Sequence, residues 1–275
     1  MQITPEIEKS LQDLSLETRR NIVEMAFRAG KNSAHCGGSL SCVEILITLY
    51  HLFVRRDEND LENRDRVILS KAHASLAMYA TLHSMGLLTQ DELMTFEQNG
   101  SHYTAHAHKD VSKGLEFTGG SLGLGLSYAT GVAYALAQRN SNAQVYVIVG
   151  DGECNEGIVW ESLMFIKHQN LRNVTIIVDH NHLQADGRIE EIIDTDSLKD
   201  KFSSFGFYTR QVDGHSISAL SDALNSRDIG RPNAIIAETI KGKGVSFMEN
   251  KANWHFASLS EGRYKKAITE LSSQE

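Results

Sequence analysis

Two stretches of the chain place chemically capable residues at the end of an apolar run. Val145-Tyr146-Val147-Ile148-Val149 leads into Gly150-Asp151-Gly152, and Val174 to Val178 leads into Asp179-His180-Asn181-His182-Leu183. Runs of this length and β-branched content read as buried strands, and in an open parallel sheet ligands bind beyond the carboxyl ends of strands. A helix over Glu156 to Gln169 is a suitable right-handed crossover, which sets the two ends side by side and lets Asp151 and Asn181 converge. A carboxylate, an amide oxygen and a backbone carbonyl from the following turn are hard donors of the kind Mg²⁺ takes, with phosphate oxygens and water completing an octahedron. Gly152 has no Cβ, so its N–H can approach a phosphate closely. Taken alone, Gly-Asp-Gly is also ordinary turn chemistry.

Histidine is the other chemistry-bearing residue, with twelve in the chain. His102, His106 and His108 spell H-x-x-x-H-x-H, but they share no helical spacing and have no acidic or cysteine partner nearby, so a zinc site is not expected there. His180 and His182 flank Asn181 and read as local packing or solvent contacts. The cysteines, Cys36, Cys42 and Cys154, are odd in number and form no C-x-x-C pair, which points to neither a disulfide framework nor a cysteine zinc site. A reducing, cytoplasmic setting is the expectation. Cys154 has nothing beside it that would lower its thiol pKa and reads as filling a small turn.

These residues need a scaffold. Apolar spacing predicts a helix from Leu14 to Ala29 and a second, capped by Ser41, running to about Val54, with SAHCGGSLS as the loop between them. A polar connection from Asp57 to Asp65 leads to a short strand, Val67 to Leu69, ending at Ser70-Lys71-Ala72-His73. Helices follow over Ser75 to Met85 and Gln90 to Gln98, then an irregular segment from Gly100 to Thr118. The stretch from Gly119 starts Gly-rich and becomes a small-residue helix suited to close packing against a sheet or another subunit. With a last apolar run at Ala234 to Ala237, strands alternate with helix-length spacers. The expected fold is α/β, a doubly wound and mostly parallel sheet with helices on both faces, spanning 1–275 as one domain.

The chain has 275 residues, 41% of them hydrophobic and only two of them proline. That composition suits a compact globule and excludes a disordered tail or a disulfide mini-protein. A net charge of −8 argues against a broad nucleic-acid or anionic-membrane surface, so phosphate binding would be local. The charged N-terminus lacks an apolar core segment, and no later stretch approaches 18 uninterrupted apolar residues, so neither targeting to a membrane nor spanning one is expected.

Between Gly152 and Asn181 lie 28 residues, and GDG followed by that interval and Asn is similar to the fingerprint of thiamine diphosphate enzymes. The stretches GDGECNEGIVWES and DHNHLQADG resemble the diphosphate-binding part of the transketolase family, especially forms divided between two short chains. Most of the chain shares in this resemblance. AHCGGSLS looks like the family's GHxGGSLS, DRVILSKAHA like DRFVLSKGHA, TGGSLGLG like STGSLGQG, and ETIKGKG followed by Trp254-His255 like the segment that carries a last histidine to the site.

The resemblance implies thiamine diphosphate and Mg²⁺, with Ca²⁺ or Mn²⁺ able to substitute, held by Asp151, Asn181 and the carbonyl of Leu183. It implies that Gly152 N–H meets the diphosphate, that Gly120 and Leu122 lie against the aminopyrimidine, and that His73 and His255 reach the diphosphate or the reacting centre. His35 and His106 match histidines lining the substrate channel, and Glu156 matches a glutamate near the subunit boundary that links paired sites. The implied activity is a glycolaldehyde transfer from a ketose, commonly a phosphate, to an aldose. The family's pyrimidine-activating glutamate lies on a further domain for which this chain has no room. The expectation is therefore a subunit that works with a second polypeptide carrying the pyrimidine-binding and C-terminal domains, two chains of each kind forming a heterotetramer.

Ala34, Ala72 and Ala105 stand where the family commonly has Gly before a site histidine, Cys36 and Ala107 where it has Pro after one, and Leu124 where it has Gln. After Trp254-His255 the chain reads Phe-Ala-Ser-Leu instead of Gly-x-x-Pro. The cofactor blocks are thus closer to the family than the substrate-side blocks. The remaining alternatives are a deoxyxylulose-phosphate synthase-like enzyme, a subunit of the dehydrogenase E1 type, and a non-catalytic paralogue.

Overall fold

The structure is a computed structural model that describes residues 3–56, 60 and 63–274; most of the predicted connection from Asp57 to Asp65 lies outside the described residues. Five strands, β1 (Arg66–Leu69), β2 (Val145–Gly150), β3 (Val174–His180), β4 (Tyr208–Asp213) and β5 (Asn233–Glu238), form one sheet in the order β1-β2-β3-β5-β4. Every pairing in it is parallel. β4 was not anticipated: Tyr-Thr-Arg-Gln-Val-Asp is a polar edge strand, half-buried at most, and lacks the apolar run that marked the others.

Side chains of the central strands alternate between two cores. Tyr146, Ile148, Ile177, Ile235 and Ala237 face one, and Val145, Val147, Val149, Ile176, Val178 and Ile236 face the other. A strand buried on both faces must be apolar at every position, which is why these runs do not alternate with polar residues. Each such Val or Ile contributes about 1.5–3 kcal/mol by leaving water. The first core is covered by α1 (Pro5–Ala29), α2 (Cys36–Leu40), α3 (Val43–Thr48), α4 (Ser75–Ser84), α5 (Gln90–Leu93) and two helices from the end of the chain. The second core is covered by α6 (Leu124–Gln138), α7 (Gly157–His168) and α9 (Leu198–Ser204), with the single turn α8 (Ile189–Ile192) between the last two in sequence. The sheet is therefore doubly wound, and α10 (Ile217–Asn225) and α11 (Glu261–Ser272) complete the first layer.

Local chemistry sets the helix ends. α1 starts nine residues earlier than its apolar spacing suggested, because Thr4 accepts from Ile7 N–H and Pro5 presets the first helical residue. SAHCGGSLS is not a loop throughout, since α2 forms within it. Ser41 does not start the second helix; it is the C-cap of α2, its N–H donating to Gly37 O at 3.3 Å and its hydroxyl to Asp179 Oδ2 at 2.6 Å, and the N-cap of α3 is Cys42. The helix expected over Gln90 to Gln98 stops at Leu93; its start is fixed by a capping box between Thr89 and Glu92. α6 meets β1 closely: a Cβ on Gly125 would lie 2.5 Å from Ser70 Cα, so only glycine fits. No helix among the described residues is long and apolar enough to cross a membrane.

Candidate active site

The carboxyl ends of β1, β2, β3 and β5 surround a cavity of about 250 Å³. Its lining includes His35, His73, His106, His255, Gly120, Leu122, Asp151, Gly152, Asn181 and Leu183, so ten of the eleven residues singled out in the sequence meet at one place. Glu156 does not join them. It is exposed at the N-cap of α7, with its carbonyl accepting from Val159 N–H at 3.1 Å.

Sheet register explains the meeting of Asp151 and Asn181. Gly150 lies opposite Asp179, and Asp151 N–H donates to Asp179 O at 3.3 Å, which brings the two strand exits together. Asp151 is buried; its Oδ1 accepts from Gly152 N–H at 2.7 Å and its Oδ2 from His182 N–H at 2.6 Å. Gly152 N–H, expected to face a phosphate, is thus directed at Asp151. Asn181 donates from Nδ2 to Asp179 Oδ2 at 3.3 Å, which fixes the amide so that Oδ1 is the atom left to accept, here from Leu183 N–H at 3.2 Å. Burial, then the charge of Asp179, pushes the Asp151 carboxyl up to about 6. A carboxylate held up by burial and by Asp179, beside an oriented amide oxygen, is a donor set that suits a hard divalent cation.

Four histidines of the lining cluster around His35. Its ring centroid is 5.5 Å from those of His73 and His106 and 5.3 Å from that of His255, while His73 and His255 are 5.1 Å apart. Burial, reinforced by the neighbouring positive groups, lowers His35 to about 3 and His255 to about 4, and puts His73 well below the ordinary imidazole value. These three rings are neutral at pH 7, each able to donate at one nitrogen and accept at the other. The Nδ1 of His35 is buried with no hydrogen-bond partner, as is Gln184 Nε2 on the cavity wall. Such unpaired polar atoms are costly without a ligand to satisfy them. Phe256, half-exposed, packs its ring 4.5 Å from that of His35.

Several functional side chains escaped the sequence reading. Lys71 is enclosed, pairs with Asp179 and donates to Gly38 O at 2.9 Å. Lys241 donates to the carbonyls of Leu183 at 3.3 Å and Gln184 at 2.9 Å and lies 3.1 Å from His255 Nδ1. Burial, then the charge of Lys71, lowers its ammonium to about 8. The signal was present, since Lys71 precedes His73 by two residues and Lys241 opens KGKG, but lysine reads as surface unless its partners are known. Glu153 is also buried in this wall and binds Gly123 N–H at 2.7 Å, Gly150 N–H at 3.0 Å and the Ser70 hydroxyl. Cys154 fills its turn as expected, with burial pushing the thiol pKa far up.

Ala72 is accommodated by a compensating position. A Cβ on Gly119 would lie 2.2 Å from the Ala72 methyl, and Gly119 stands opposite the threonine of the STGSLGQG pattern. The methyl gained at position 72 fills space left by the missing side chain at 119.

The family model described as the transketolase, thiamine diphosphate binding domain, matches residues 14–274. A 6-deoxy-6-sulfo-D-fructose transketolase subunit from Clostridium sp. (strain MSTE9) is 35% identical over 272 residues, covering 96% of this chain and 99% of that protein. An apulose-4-phosphate transketolase subunit from Phocaeicola vulgatus is 33% identical over 270 residues, covering 97% and 95%. Among solved structures, transketolase from Campylobacter jejuni superposes with a TM-score of 0.87 at 29% identity, over 99% of this chain and 43% of that one.

Proposed function

This chain belongs to the transketolase family, through its thiamine diphosphate-binding domain, and from that premise we propose that it is the diphosphate-binding subunit of a two-chain transketolase. The observation that carries the reading is the cavity itself, where Asp151 and Asn181 face four histidines across the strand ends. Asp151, Asn181 and the Leu183 carbonyl would hold Mg²⁺, or Ca²⁺ or Mn²⁺ in its place, and Gly120, Leu122 and Gly152 would line the cofactor. Bound thiamine diphosphate supplies a carbon nucleophile for a ketose carbonyl and an electron sink for the two-carbon unit transferred to an aldose.

The chain's own groups bind, orient and move protons. His73 and His255, with Lys241, set hydrogen-bond donors and positive charge beside the expected diphosphate position. His35 and His106 line the route above them. His35, neutral there, hydrogen-bonds a sugar hydroxyl or polarises a carbonyl oxygen without first losing a proton. Phe256 presents an apolar edge to the same channel and bears on which sugars enter. The two relatives are named for 6-deoxy-6-sulfo-D-fructose and apulose 4-phosphate, both sugars with an acidic group, and a ketose of that kind is the substrate class proposed here.

The relatives' names as subunits support a partner chain. On this reading 1–275 is one domain, and the partner supplies the pyrimidine-binding and C-terminal domains with the activating glutamate, in a cytoplasmic assembly of two chains of each kind. Leu124 and Tyr134 on α6 and Met164 and Phe165 on α7 are exposed, with the Tyr134 and Phe165 rings 5.8 Å apart, and offer apolar surface suited to that contact. The test is calorimetry with thiamine diphosphate and Mg²⁺ on the co-purified chains, followed by ketol-transfer assays and mass measurement in solution. Binding that D151N abolishes, and turnover only when both chains are present, are the expected results. Turnover by this chain alone would refute the divided-enzyme reading.

A further inference from the structure

We propose that His180, His182 and Glu238 form a second divalent-metal site, suited to Zn²⁺ and separate from the oxygen site at Asp151 and Asn181. β3 ends at His180, and the chain then turns with His182 in the left-handed region at φ 63°. That turn brings the two rings over one another with centroids 4.0 Å apart. Because β5 pairs with β3, Glu238 lies opposite His180. Its Oε1 is 2.7 Å from His180 Nδ1 and its Oε2 is 2.9 Å from His182 Nε2. The three ligand atoms all lie within 4.8 Å of one another, and all three residues are partly buried with access to solvent. Among the described residues this is the one cluster of three such groups, and His102, His106 and His108 form none.

The donor chemistry separates the two sites. Two borderline imidazole nitrogens with one carboxylate suit Zn²⁺ and its neighbours, whereas Mg²⁺ takes oxygen donors. A tetrahedral ion about 2.0–2.1 Å from each donor needs donors about 3.3 Å apart, between the 2.7 and 2.9 Å of the carboxylate contacts and the 4.8 Å within which all three ligand atoms lie. Solvent provides the remaining position. The surroundings are those of a supported site: Gln211 Nε2 donates to Glu238 Oε1 at 2.8 Å, and the Glu190 carboxylate interacts electrostatically with both rings. An ion here would tie the end of β3 to the end of β5. His180 and His182 flank Asn181, and His182 N–H donates to Asp151 Oδ2, so the ion would also stiffen the loop that presents the first site. The proposal stands on these three side chains and does not depend on which cofactor the main cavity takes.

The experiment is a Zn²⁺ titration of the chelator-stripped full chain in excess Mg²⁺, with Co²⁺ as a spectroscopic substitute. One Zn²⁺ per chain and the visible absorption of low-symmetry Co²⁺ are expected. H182A and E238Q, each checked for native circular dichroism, should weaken Zn²⁺ binding at least tenfold, whereas raising the Mg²⁺ concentration further should leave it in place. No stoichiometric binding, wild-type affinity in folded E238Q, or displacement of the Zn²⁺ by added Mg²⁺ would each overturn the assignment.

Discussion

The Lys71 ammonium and the Asp179 carboxylate form an ion pair sealed from solvent, with side chains 1% and 0% exposed. Burial alone would push the Asp179 carboxyl up, but Lys71 outweighs it, helped by the hydroxyls of Ser41 and Thr239, and holds it below the ordinary carboxylate range. The pair joins the end of β1 to the end of β3 beneath the cavity. Removing one partner strands the other. K71M should therefore cost about 3–5 kcal/mol of folding stability, read from urea unfolding, and K71M/D179N, which buries no charge and keeps an acceptor for the Ser41 and Thr239 hydroxyls, should recover part of it. A K71M protein as stable as wild type would show that the pair does not hold the strand ends.

Glu153 places the same requirement on a single side chain. Three donors, Ser70 Oγ and the N–H groups of Gly123 and Gly150, converge on its carboxylate. In E153Q an amide NH₂ faces at least one of those donors, so a loss of about 1–3 kcal/mol is expected. Thermal and urea unfolding measure it, and an unchanged midpoint would contradict the network.

Positions 72 and 119 should be coupled. G119T forces a side chain into the Ala72 methyl, an overpacking that costs about 1–3 kcal/mol, and A72G opens the space. The double variant should be more stable than the sum of the single effects predicts, by at least about 1 kcal/mol for residues in direct contact. Strict additivity in the double-mutant cycle would remove the case for compensation.

Stability should fall on the acid side through His35 and His73. The fold keeps both neutral, chiefly by burial, with His35 down at about 3, while the unfolded chain protonates near the ordinary value of about 6.5. Above that value neither state binds the proton and the two histidines have no effect. Below it the unfolded state takes up protons that the fold refuses, so each histidine removes up to about 1.4 kcal/mol per pH unit, for His35 until about pH 3. Urea midpoints at pH 7.5, 6 and 5 should decline, and H35N should flatten the slope. An H35N slope equal to that of wild type would count against a neutral His35.

Much of the cavity was legible along the chain because strand ends and ordered motifs are local features. Val145 to Val149 and Val174 to Val178 mark where Asp151 and Asn181 leave the sheet, and the parallel-strand rule puts those exits together. β4 was hidden because an edge strand needs little apolar content. Glu156 carries a recognisable motif position, but its side chain lies outside the cavity.

The amino-acid sequence alone determined the α/β class, the four strands with continuous apolar runs, and the residue types available at their ends. Those follow from periodicity and turn chemistry within a few residues. The burial of Lys71 against Asp179, the fit of Ala72 to Gly119 and the approach of Glu238 to His180 and His182 were decided only by tertiary structure. Each joins residues far apart in the chain, and the sheet order β2-β3-β5 and the docking of the helices on it set those distances.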